Sequence, residues 1–129
     1  MRVISMVSLV AAIFLSCAPP ASIERPARNP NVITKDEILV SHVFNAYEAV
    51  NMLRPNFLRS HGPTSISGGD SGYPKVYLNH ILYGNVESLR GLDVSSIREI
   101  RYYNGAEASS RFGLNNVSGA IEVITDAGQ

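Results

Sequence analysis

The sequence predicts a small mixed α/β domain of the α+β kind, with about four strands in one sheet and short helices packed against it. Three observations predict it. Capping signatures precede apolar stripes of helical spacing between residues 33 and 54; two short strand-like runs flank Asn79-His80; and two further strand-like runs, around Ile100-Tyr102 and Ala120 to Thr125, bracket a segment of small residues. A hydrophobic fraction of 45% against 17% charged residues suits a folded core rather than global disorder, and 129 residues leave room for one domain.

The elements follow in order. In Ile33-Thr34-Lys35-Asp36-Glu37-Ile38, Thr34 and Glu37 have capping-box spacing, and Ile33 and Ile38 can form the hydrophobic staple, so a short helix starts there. Asn45-Ala46-Tyr47-Glu48 repeats the box and opens a second helix. Its face of Ala46, Ala49, Val50 and Leu53 needs a sheet to cover, and Arg54 closes it before Pro55. Residues 59–74 are rich in Gly, Ser and Pro and read as loop, with a short edge strand around Thr64 to Ser67. Lys75 to Leu78 and Ile81 to Tyr83 flank Asn79-His80, the length of a tight hairpin turn, although histidine stands where glycine is favoured. Asn85 caps a short helix through Arg90, and Asp93 caps a turn over Val94 to Ile97. Ile100 and Tyr102 share one face of the next strand, and Ala120 to Thr125 form the last. Between them, Gly105, Ala106, Ala108, Ser109 and Ser110 read as a compact structural turn. Gly105, Gly113 and Gly119 supply backbone freedom or close approach there, and Arg111 is a brace across the turn or toward a partner.

Ahead of the domain, residues 1–17 contain Arg2, the apolar run Val3 to Leu15, and Ser16-Cys17, which is a secretory leader rather than a membrane span of roughly 20 residues. It resembles a bacterial lipoprotein signal, in which the cysteine is lipidated and becomes the first mature residue, with Phe14 in the position usually held by leucine. Cys17 is the lone cysteine, so no internal disulfide can form. Residues 18–31 carry Pro19, Pro20, Pro26 and Pro30 and read as an extended tether. The domain then spans 32–126, with a tail at 127–129.

Composition weakens several function classes. Lys plus Arg and Asp plus Glu are 11 each, and removing Arg2 with the leader leaves 10 − 11 = −1, without the clustered basic residues that nucleic acid requires. His42, His61 and His80 lack the close spacing of a metal site. Gly68-Gly69-Asp70-Ser71-Gly72 has neither the lysine nor the following helix of a phosphate cradle, and it contains no Gly-x-Ser-x-Gly nucleophile elbow. Asp36-Glu37 suits the positive end of a helix better than paired acid–base work. The expectation is therefore a protein that is not an enzyme and needs no cofactor.

Four segments in order resemble the plug domain of TonB-dependent outer-membrane receptors. They are Ile33 to Ile38 for the opening helix, Val76-Tyr77-Leu78-Asn79-His80-Ile81 for the hairpin, Asn104 to Gly113 for the Gly-Pro and Tyr-Gly stretch, and Gly119-Ala120-Ile121-Glu122-Val123-Ile124-Thr125 for the last strand. The departures are Arg101 and Asn104, where such plugs carry the acid and the arginine that help lock them in a barrel, Ala106 for proline, and no TonB box. A barrel of 22 strands needs about 10 residues each, and none follows in 129 residues. The resemblance implies a stand-alone binding or adaptor module on the periplasmic side of the outer membrane. Its partner would be another envelope protein, a separately encoded barrel or a second copy, and its ligand is unassigned. The alternative it implies is a plug supplied in trans, which binds substrate and gates a separate transport barrel.

Overall fold

The structure, a computed structural model, describes residues 27–62 and 71–127. The leader with Cys17, residues 18–26 of the tether, the strand expected at Thr64 to Ser67, Gly68 to Asp70 and the last two residues of the tail lie outside the described residues.

The chain enters through a short strand, β1 (Val32–Thr34), and turns directly into helix α1 (Lys35–Ser41). The expected box forms: the Thr34 hydroxyl accepts from the Glu37 N–H, and the Glu37 carboxylate accepts from the Thr34 N–H at 3.0 Å. Helix α2 (Ala46–Leu53) forms only half of its expected box: Asn45 Oδ1 accepts from the Glu48 N–H at 3.0 Å, but the Glu48 carboxylate accepts from the Phe44 N–H, one residue before the cap. It stops at Arg54, because Pro55 disfavours helical backbone in the residue before it and itself opens a single 3-10 turn (Pro55–Leu58). Strands β2 (Lys75–Leu78) and β3 (Ile81–Gly84) form the expected hairpin. Its two turn residues both adopt positive φ, +47° at Asn79 and +70° at His80, as a two-residue turn of this hand requires. Asn79 is fixed from outside the hairpin: its amide donates to Thr125 Oγ1 and its Oδ1 accepts from the Thr125 N–H.

The segment capped by Asn85 is a 3-10 helix (Val86–Gly91) rather than an α-helix, and Asp93 caps a second one (Val94–Ser96). Strand β4 (Ile97–Tyr103) leads into helix α3 (Gly105–Phe112) and, past a 3-10 turn, into β5 (Ala120–Thr125). The strand order is β1-β4-β5-β2-β3, with β5 parallel to β2 and every other pair antiparallel.

The mixed α+β class is as the sequence predicts, but two details are corrected. The sheet has five strands rather than about four: β1, only three residues long, is held by its partner, with Ile33 opposite Ile100. The compact turn expected over Gly105 to Ser110 is instead the helix α3. Asn104 caps it with a full box, accepting from the Glu107 N–H while Glu107 accepts from the Asn104 N–H. That reciprocal pairing satisfies helix N–H groups that a loop would leave to water.

Alternation along the strands assigns the two faces. Val76, Ile100, Ile121 and Val123 meet α1, α2, Phe57 and Leu89 in the main core. The stripe of Ala46, Ala49, Val50 and Leu53 packs there, and Tyr102 stacks on Phe57 with ring centroids 4.9 Å apart. The opposite face holds a smaller cluster, where Ala108 of α3 covers Tyr77 and Ala120 with Phe112 and Tyr103 around them.

Candidate functional site

The smaller cluster encloses the one buried carboxylate among the described residues. Glu122 lies in the middle of β5, the central strand, between Arg101 of β4 and Tyr77 of β2 in the ladder, and its side chain is fully buried. Uncompensated burial of a carboxylate is costly, so its neighbours matter. The Tyr103 hydroxyl donates to Glu122 Oε2 at 2.9 Å, and Arg111 Nε of α3 lies 3.6 Å from the same oxygen. His80 Nδ1, at the hairpin tip, approaches Oε1 to 2.6 Å, an ion pair when the ring is protonated, although Oε1 receives no well-directed hydrogen bond among the described residues. With Nδ1 bare, the imidazole accepts instead from Arg111 Nη2 at 3.4 Å.

Aromatic packing holds these groups. Phe112 stacks on Tyr77 at 4.0 Å between centroids and meets Tyr103 edge-on at 5.7 Å, while the Arg111 guanidinium sits 5.2 Å from the Tyr103 ring centre. Burial, and then the hydrogen bond to the Glu122 carboxylate, push the Tyr103 phenol above its usual pKa, so it remains a donor. The strand's entry is tied down next to this. The Tyr77 hydroxyl donates to Asn116 Oδ1 at 2.9 Å, and Asn116 Nδ2 donates to the Gly113 carbonyl at 2.9 Å.

The predicted residues separate into three roles. Arg111, expected as a brace across the turn or toward a partner, lies instead beside the Glu122 carboxylate of β5. Gly105 and Gly119 are close-approach positions: a Cβ on Gly105 would overlap the Val117 carbonyl, and one on Gly119, at φ +93°, would come within 2.8 Å of the Tyr103 carbonyl oxygen. Gly113 ends α3 at φ +101° with open space around it, so only its conformation calls for glycine. Cys17 lies outside the described residues. His42 and His61 stand apart from His80; His61 Nε2 is 3.0 Å from the Tyr102 hydroxyl, on the main-core side. Among the described residues no group of three or more His, Cys, Asp or Glu side chains could hold a metal ion, and no helix is long and apolar enough to cross a membrane.

Beside the cluster, an open cleft of about 780 Å3 runs between α3 and the β1–β4 edge, lined in part by Asn31, Arg101, Tyr103, Glu107, Ser110 and Arg111. Arg101 donates to Glu99 at 2.8 Å; burial works against its charge, and the Tyr103 and Glu99 contacts more than restore it. Burial, and then the nearby Glu107 charge, raise the Tyr102 phenol.

Sequence reasoning passed over Glu122, Tyr103 and His80 as a group. The signals available were an acid amid the apolar β5 run and a histidine at a turn position that favours glycine. Together the fold and site define a small α+β domain in which a helix and a hairpin tip close over a buried carboxylate on a mixed sheet. No family model, curated protein or solved structure matches the chain.

Proposed function

We propose that the chain is a non-catalytic, plug-like binding or adaptor module on the periplasmic side of the outer membrane, anchored through a lipid on Cys17. The observation that carries the reading is the joined unit β4–α3–β5. Gly105 and Gly119 press against neighbouring backbone, Gly113 ends the helix, and the strand Ala120–Thr125 follows, in the order of the segments that resemble plug domains of TonB-dependent receptors.

The two departures from that pattern have structural uses within the domain. Asn104 is the cap of α3, and Arg101 is engaged by Glu99. Both residues are used inside the domain, which favours an adaptor over a locked plug. For a partner protein, the edge strand β3 offers Ile81, Leu82 and Tyr83, all exposed. The cleft beside Arg101 favours the second reading, a plug acting in trans on a substrate-conducting barrel.

Crosslinking in cells tests the proposal. The expected result is one dominant crosslinked envelope protein, lost when Ile81 and Leu82 are both changed to Asp; recovery of monomer alone overturns it. If that partner is a barrel whose uptake of substrate rises with this chain, the in-trans reading replaces the adaptor.

A further inference from the structure

The outer side of the α1–α2 layer is unusually apolar. Leu39, Val40, Phe44 and Met52 are between 60 and 80% exposed, and all stand on α1, α2 or the link between them. Val40 and Met52 line one shallow groove together with Leu53 and Arg28. Some of the layer's charges are paired within the domain: Glu37 with Arg28 at 2.7 Å and Arg54 at 3.1 Å, and Lys35 with Asp126 at 2.7 Å, while Asp36 also lines the groove and Glu48 accepts from the Phe44 N–H. Exposed apolar side chains gathered on one layer mark a surface that something covers.

The path of the chain indicates what covers it. Arg28, at the start of the described residues, already lies in the groove. Cys17 and Ala27 are ten residue steps apart (27 − 17 = 10), and at roughly 3.6 Å a step the nine residues between them reach no more than about 36 Å. A lipid on Cys17 therefore holds the groove, where the tether enters the domain, within about 36 Å of the bilayer. Strand β3 is the sheet edge opposite β1, four strand spacings or about 19 Å across the sheet from it. Tethering raises the local concentration of the surface so far that a weak apolar contact suffices, and stable attachment commonly combines a lipid with such a second contact.

We propose that Leu39, Val40, Phe44 and Met52 rest on the phospholipid surface, so that the domain sits on the membrane by its helical layer and leaves the β3 edge uncovered at the side of the sheet. This rests on the anchored reading above. Met52 is the only methionine after Cys17, which makes it a chemical reporter.

The native acylated chain is placed in vesicles of phosphatidylethanolamine and phosphatidylglycerol and treated with dilute hydrogen peroxide, with Met52 sulfoxide and intact mass read by mass spectrometry. The wild type should oxidise several-fold more slowly than the double variant Val40→Asp, Phe44→Asp. An Ile81→Asp, Leu82→Asp variant on the far edge should keep the slow rate. Equal rates in wild type and the first variant, with the acyl mass present, overturn the membrane contact and leave the anchor standing. An unacylated Cys17 or a retained leader overturns both together.

Discussion

At Glu122 a buried carboxyl group is enclosed by a phenol, an imidazole and a guanidinium, each supplying part of what water would have given. Glu122→Ala should lower unfolding stability by about 2–3 kcal/mol, because it strands a half-buried hydroxyl and removes the acceptor shared by Tyr103 and Arg111. Glu122→Gln should lose less, and urea titration of the two variants measures both. The residue was hidden in the sequence for a physical reason. In Ala120-Ile121-Glu122-Val123 an acid between two apolar residues reads as the solvent side of a half-covered strand, and the cover comes from α3 and the hairpin tip. Glu37 is a second acid with a measurable signature. Burial alone would raise its pKa, but the Thr34 N–H, Arg54 and Arg28 outweigh it and hold the carboxyl below the ordinary 4.5. A depressed folded value means that the contribution to stability is present above the unfolded value and lost as pH falls through the folded one. Melting temperature should therefore fall on acidification below about 4.5, and Glu37→Gln should flatten that fall.

Helix α3 tests how far capping chemistry decides an element of poor intrinsic propensity. Its sequence, Gly105-Ala-Glu-Ala-Ser-Ser-Arg-Phe112, has a glycine at its first position and two serines within, and it stands because Asn104 and Glu107 satisfy its N-terminal donors and Ala108 and Phe112 pack on the sheet. Asn104→Ala should cost about 1 kcal/mol, seen as faster amide exchange across residues 105–112 ahead of any global loss. Gly119→Ala should cost more, about 1–3 kcal/mol for the backbone conformation, with the clash against Tyr103 added, and thermal melting of the purified variant checks it. The caps at Thr34 and Asn45 were legible because apolar stripes followed them. The cap at Asn104, with the same spacing to its acid, was followed by small residues that imitate a turn. Strand β1 was illegible in a different way: three residues carry almost no periodicity, and what fixes them is pairing with Glu99, Ile100 and Arg101, more than 60 positions away.

Across the whole molecule, one sheet divides the two chemistries, with the main apolar core on one side and the buried carboxylate under α3 on the other. Ile100→Ala, at the centre of the main core, should remove about 2–5 kcal/mol, whereas changes at exposed Leu114 should be close to neutral; chemical denaturation of both variants measures the contrast. The strand order carries a consequence for synthesis. β5 is the last of the five strands to leave the ribosome, yet it is the joint between β4 and the β2–β3 hairpin, with a parallel partner in β2 more than 40 residues earlier. Until residues 120–125 have emerged, the nascent chain holds two unconnected pieces of sheet with open edges. Products stalled before Ala120 should be cut rapidly by protease, and a holding chaperone has that interval in which to keep the chain from closing.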